Sequence, residues 1–328
     1  MTTHPRTLPH LSDRLFMTDG GLETTLIFHD GMDLPAFASF PLLQSETGTQ
    51  RLADYYLEYL EMARKHQLGI VLEAPTWRAN PEWGAKLGYD AASLADMNRR
   101  AIDMLVALRD EFETPATPIV VSGCIGPRGD GYRADARMSA REAREYHGAQ
   151  IRTFADTDAD LVSAFTINYV EEAQGVVLAA RDVGMPVVIS FTLETDGRLP
   201  TGDTLQAAIA RTDEATGGYP AYYMINCAHP THFAHVLGHP GERPVPGEAG
   251  WRERIRGVRA NASRRSHTEL DESTDLDDGD PIELGQQYVE LRAALPRLAV
   301  VGGCCGTDHR HVEAICRRLS RAGGAAQA

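Results

Sequence analysis

The sequence predicts an α/β fold in which eight parallel strands close into a single (β/α)8 TIM-type barrel. Three observations carry that expectation. Eight short apolar runs, rich in β-branched residues, recur along the 328 residues. Longer stretches with helical periodicity separate them, and alternating β and α units predict a parallel sheet. Polar or thiol residues follow nearly every run, at the strand ends where barrels of this kind place their sites. At ~150 residues per domain the length alone would allow two domains. The unbroken alternation instead reads as one domain over 1–328, with a core at about 15–321, an acidic loop at 269–280 and a tail at 322–328. An open doubly wound sheet is the runner-up. It lacks its fingerprint, because the glycine-dense turn near the N-terminus is Asp19-Gly20-Gly21 rather than GxGxxG, and no phosphate-loop GxxxxGK motif is present.

The predicted strands lie at 15–18, 68–73, 118–122, 160–165, 186–191, 221–225, 255–259 and 298–301. Between the first two, 49–66 places Leu52, Tyr56, Tyr59, Leu60 and Ala63 on one helical face. The stretch 93–112 does the same with Leu94, Met97, Ala101, Leu105 and Leu108. Helices are also expected over 139–155, 171–183 and 308–319; Ser139 with Glu142 three residues on is a capping box. The run 269–280 holds seven acids and no base, half of the formal charge of −14. It is not a calcium loop, since Gly279 is fifth rather than sixth from Asp275. It reads as a solvated segment beside the barrel mouth.

The acidic balance argues against a nucleic-acid or anionic-membrane partner. The first residues lack the apolar core of a signal peptide, and no run of 18 apolar residues occurs. A cytoplasmic, soluble protein is expected, free or as a homo-oligomer. Five cysteines, an odd and low number, do not suggest a disulfide framework.

Reading the strand ends gives Asp19-Gly20-Gly21, Glu73, Cys124, Thr166 with Asn168, Thr192 with Glu194, Asn226-Cys227, Asn261 and Cys304-Cys305. Zinc favours tetrahedral sulfur and nitrogen ligation, and a catalytic site keeps a position open beyond three protein ligands. Cys227, Cys304 and Cys305, from two strand ends of one mouth, meet that pattern if the backbone turns sharply, which Gly303 and Gly306 permit. Buried core cysteines and a redox pair are the other readings of the same residues. Cys124 and Cys316 read as core. His229 and His309 lie near the thiols in sequence and are the candidates for a fourth ligand.

GGCCGT at 302–307, followed by Asp308-His309, resembles the C-terminal signature of the zinc-dependent homocysteine S-methyltransferase family. Ile225-Asn226-Cys227, DGGLETTL at 19–26, GCIG at 123–126 and VEEA at 170–173 fall in matching order, so the resemblance covers about 19–319. It implies a (β/α)8 barrel, Zn2+ on Cys227, Cys304 and Cys305, and methyl transfer to the sulfur of homocysteine. Donors within the family include S-methylmethionine, S-adenosylmethionine, betaine and a methylcobalamin partner. The expected small-molecule partners are therefore a thiol acceptor and a cationic methyl donor.

The sequence departs from the family at Phe165, where a glutamate usually holds the substrate's amino group. Glu73 is the candidate replacement. Asp19, Gly20, Gly21, Thr166 and Asn226 complete the expected substrate contacts, with the glycine amides facing the acceptor's carboxylate, Asn226 steadying Cys227 or the acceptor thiol, and Asp19 contacting the donor or orienting its loop. The alternatives are a non-catalytic barrel binding zinc or an amino acid, and a module that depends on a separate cobalamin protein. A metal-dependent hydrolase is disfavoured by strand ends rich in thiols and nearly free of histidine.

Overall fold

The computed structural model describes residues 8–12, 14–238, 250–273 and 275–325, without the side chains of 321–325. The strands are β1 (Phe16–Met17), β2 (Gly69–Glu73), β3 (Ile119–Ile125), β4 (Leu161–Ile167), β5 (Val187–Phe191), β6 (Tyr222–Asn226), β7 (Ile255–Ala260) and β8 (Val300–Gly303). They form a closed barrel in sequence order, and every pair is parallel. Phe16 pairs with both Gly69 and Val300, which closes the ring. Strands buried on both faces need continuous apolar sequence, and that is why eight short runs were readable.

Among the described residues seven long helices pack outside: α1 (Glu46–His66), α2 (Ala91–Phe112), α3 (Ala140–Ala155), α4 (Val170–Asp182), α5 (Leu205–Thr216), α6 (Pro281–Ala294) and α7 (His309–Ala325). The Ser139–Glu142 capping box forms as expected. Helices α5 and α6 were not anticipated; short alanine- and threonine-rich or charge-interrupted faces gave too narrow an apolar stripe to stand out. Between β6 and β7 the described residues hold only the short helices Pro230–Phe233 and Gly250–Glu253 and a 3-10 turn. The expected tail at 322–328 is helical as far as Ala325, and its last three residues lie outside the described ones.

Alternate strand residues fill the barrel. Val71, Val120, Leu161, Val188, Met224 and Val300 pack inside, with Phe16 and Tyr222 below them. His10 lies buried against the Phe16 and Tyr222 rings and plugs the N-terminal end. Higher in the barrel the inward side chains turn polar: Ser122 and Ser163 bond each other at 2.8 Å, and Ser190, Asn226 and Arg259 follow on β5 to β7. Polarity inside thus rises toward the strand C-termini, the end at which the site is built.

The acidic segment is structured rather than merely solvated. Glu269 caps a short helix, His267–Asp271. Asp277 accepts from Ser263, Asp278 pairs with Arg310 at 2.7 Å, and Asp280 caps α6. Thr274 lies outside the described residues. Like charges are tolerated because each of these acids has its own donor.

Candidate functional site

Cys227 follows β6, and Cys304 and Cys305 follow β8. Their sulfurs lie within 4.8 Å of one another. Cys227 Sγ and Cys305 Sγ are 3.9 Å apart. A tetrahedral zinc with Zn–S of about 2.3 Å has sulfur–sulfur edges of ~3.8 Å, so the spacing suits a shared ion. Cys227 and Cys304 are joined in a disulfide, a pairing that the odd, low cysteine count does not suggest. The physical reason is local: a fold that aims sulfurs from two strand ends at one point also brings a pair within bonding reach. Cys305, Cys124 and Cys316 are free thiols. Reduction of the bridge returns three thiol groups to the same point, and that donor set fits zinc. Burial pushes the Cys305 thiol up, so only a cation beside it would keep it ionised near neutrality.

Two turns aim these sulfurs. Cys227 itself holds φ of 52°, a left-handed conformation that costs a non-glycine residue about 1–2 kcal/mol. Gly306 holds φ of 78°, and a side chain there would press on the Asp277 carbonyl at 2.8 Å. The acidic segment therefore backs the cysteine turn directly. Thr166, at φ of 61°, sits in a register shift of β4 against β5. Such a bulge re-aims one residue at a strand end. Its amide donates to Asn226 Oδ1 at 2.9 Å, and Asn226 Nδ2 donates to Thr166 Oγ1 at 2.9 Å. The same Nδ2 reaches Cys304 Sγ at 3.9 Å, and Ser190 donates to Asn226 Oδ1 at 2.7 Å. Asn226 is thus the node that ties β4, β5 and β6 to Cys304.

Asp19 does not stand open to a ligand. Arg259 pairs with it at 2.7 Å and Tyr55 donates to it at 3.0 Å. Arg259 also donates to the carbonyls of Gly20 and Gly303, and its guanidinium lies over the Phe165 ring at 5.1 Å. Gly21 donates its amide to the Thr307 carbonyl at 3.0 Å, so that amide is not available to an acceptor carboxylate, contrary to expectation. Both glycines are required for packing: a Cβ at Gly20 would meet Tyr59 Oη at 2.9 Å, and one at Gly21 the Cys304 carbonyl at 2.8 Å. Glu73 is buried inside the barrel, its Oε2 without a hydrogen-bond partner among the described residues. Burial raises its carboxyl to about 7 against the opposing pull of Arg259.

The histidines considered as fourth ligands are elsewhere. His309 pairs with Glu58 at 3.1 Å on an outer helix surface, and His229 Nδ1 accepts from the Thr231 amide to cap the short helix after β6. Neither joins the sulfur cluster. Cys316 packs on Met17, and Cys124 lies inside the barrel, both buried as expected.

A family model for homocysteine S-methyltransferase matches residues 16–319. The chain belongs to the homocysteine S-methyltransferase family. Homocysteine S-methyltransferase 3 of Zea mays is 25% identical, the match covering 92% of this chain and 89% of the relative. The homocysteine methyltransferase MmuM of Escherichia coli shares the fold. Its oxidized form superposes with a TM-score of 0.72 at 20% identity, over 94% of this chain and 96% of that one. Its metallated form gives 0.70 at 19% identity, with the same coverage. The structure also brings to the site groups that sequence reading did not assign. Arg259 closes the floor of the mouth, Tyr132 reaches Cys305, and Glu172 of VEEA accepts from the Arg128 amide at 2.8 Å and contacts His147 at 2.9 Å. A lone arginine at the end of an apolar run was a readable signal for the first; the others depend on contacts between distant segments.

Proposed function

We propose that this protein transfers a methyl group to the sulfur of homocysteine or a related thiol, at a zinc ion held by reduced Cys227, Cys304 and Cys305. The convergence of three cysteine sulfurs at the C-terminal mouth of the barrel carries this reading. Zinc bound there would keep an acceptor thiol ionised at neutral pH and so nucleophilic. The chain's own residues do the rest. Asn226 and Thr166 hold the Cys304 side of the cluster. The Gly20–Gly21 turn and Arg259 form the floor below it, and Trp77, whose Nε1 donates to the Phe165 carbonyl at 3.3 Å, forms part of the wall. The acceptor sulfur displaces methyl from a cationic donor, S-methylmethionine or S-adenosylmethionine. The carbon–sulfur bond of the donor breaks, the new one forms, and the thiol proton has already left to water. Positioning and thiolate formation supply the acceleration, with no base needed at carbon.

Phe165 cannot pair with an ammonium, and Asp19 is already matched by Arg259. The Gly20 amide, expected to face the acceptor carboxylate, donates to the Tyr59 hydroxyl instead. Glu73 remains as the acceptor contact we assign, which is why related thiols belong in the assay beside homocysteine. The chemistry requires the reduced cysteines, and a reducing compartment such as the cytoplasm suits it. No helix among the described residues is long and apolar enough to cross a membrane.

The deciding experiment loads the reduced protein with zinc and assays it with homocysteine against each donor. One metal per chain and methionine formation are expected. Cys304→Ser is expected to lose both the metal and at least 100-fold in activity, following the usual cost of losing a metal site's support. Full activity in Cys304→Ser, or no bound metal in the reduced protein, would overturn the reading.

A further inference from the structure

The loop after β3 carries a side chain that no motif singled out. Tyr132 Oη lies 3.5 Å from Cys305 Sγ. The two residues are 173 positions apart, so the contact is a product of the fold. A loop that only crosses a barrel mouth has no reason to be fastened at several points, yet this one is. Asn168 Nδ2, at the end of β4, donates to the carbonyls of Asp130 at 2.9 Å and Gly131 at 3.2 Å. Glu172 holds the amide of Arg128 at the loop's start. Gly131 lies on Thr166, where an added Cβ would stand 3.0 Å from the threonine methyl.

The aromatic ring is fixed as firmly as the backbone. It stacks on the His267 imidazole, centroids 4.0 Å apart and planes at 19°. His267 Nε2 in turn lies 2.6 Å from the Cys227 carbonyl, and Nδ1 lies 3.2 Å from Glu194 Oε1. One connected assembly therefore reaches two of the three cysteines, at a sulfur and at a backbone carbonyl.

We propose that Tyr132 is a positioning residue for the Cys305 sulfur, its hydroxyl donating to the thiolate when Cys305 ligates a metal. This rests on the metal reading above. A hydroxyl that donates to a thiolate forms a charge-assisted bond, stronger than any it makes to a neutral thiol. The bond thus favours the metal-bound state over the metal-free one. It also lowers the sulfur lone-pair energy, which is visible in the spectrum of a ligated cobalt ion. The stack on His267 sets the direction of that donation.

The test uses the full-length reduced protein titrated with Co2+, read by the sulfur-to-cobalt charge-transfer band and by competition with a chelator. Tyr132→Phe keeps the ring and the stack and removes only the hydroxyl. Its band is expected to move to longer wavelength, and its affinity for cobalt to fall about 10-fold. Asn168→Ala, which loosens the loop without touching the cluster, is expected to shift the band in the same direction by less. Thermal unfolding of the metal-free variants checks that Tyr132→Phe retains its fold. An unchanged band with cobalt affinity within twofold of the parent would overturn the proposal while leaving the metal reading intact. A parent protein that binds no cobalt would overturn both.

Discussion

Asn226 shows how one side chain can hold a site in an unfavourable backbone. Thr166 has φ of 61° and Cys227 has φ of 52°, conformations that β-branched and thiol residues avoid. The amide of Thr166 is buried and its acceptor is Asn226 Oδ1, which also takes the Ser190 hydroxyl at 2.7 Å. An alanine at 226 would leave two buried donors without a partner, at about 1–3 kcal/mol for each unsatisfied group. Asn226→Ala is therefore expected to lose about 2–6 kcal/mol in urea denaturation. Asn226→Asp keeps the acceptor and loses the donor toward Thr166 Oγ1 and Cys304 Sγ, so it should retain more of the stability than the alanine. If both variants unfold at the parent's midpoint, the node assigned to Asn226 is wrong.

At the scale of elements, the segment VEEA opens α4 and fastens the β3 loop from below. Glu172 is 1% exposed and His147 is fully buried, so their contact at 2.9 Å is shielded from solvent. Removing one member of such a pair costs about 3–5 kcal/mol, because the other is left buried without its partner. Glu172→Ala should show a loss of that size, together with faster hydrogen exchange confined to the loop between β3 and α3. Uniformly faster exchange across the barrel would instead mean that Glu172 supports the whole fold. How much of this was legible follows from range. The eight strands and five of the seven long helices were readable because each is a local pattern of apolar spacing. The cysteine cluster was readable because strand ends in a barrel share one mouth, whatever their separation in sequence. Tyr132 was not, because no local pattern says which loop residue will reach a sulfur 173 positions away. Glu73 and Asp19 were found by position, but their charge state and partners follow from Arg259 crossing the barrel interior to the β1 end.

Across the whole molecule, the barrel holds titratable groups at two heights whose protonation acts on folding in opposite directions: it opposes folding at His10 and favours it at Glu73. His10 plugs the N-terminal end between Phe16 and Tyr222, and burial, with Arg256 nearby, lowers it from 6.5 to about 4. Between those values the unfolded chain binds a proton that the folded barrel refuses. The histidine's contribution is therefore fully present above pH 6.5 and is lost as the pH falls toward 4. Glu73 has the reverse sign. Its carboxyl is raised from 4.5 to about 7, so the folded state keeps a proton that the unfolded chain releases. Its contribution is present below pH 4.5 and is lost as the pH rises through 7. A pKa difference of one unit corresponds to about 1.4 kcal/mol, so over the two pH units from 4.5 to 6.5 each group can move stability by about 2–3 kcal/mol. Differences between variant and parent isolate the two effects from every other titration. His10→Leu should gain on the parent as the pH falls from 6.5 to 4.5, and Glu73→Gln should gain on it as the pH rises across the same interval. Parallel stability curves for parent and either variant, measured by urea denaturation at each pH, would show that the group in question titrates alike in the folded and unfolded chain. In that case the barrel interior admits water at that height, and the buried charge pattern around Arg259 would need a solvent-filled channel leading down from the mouth.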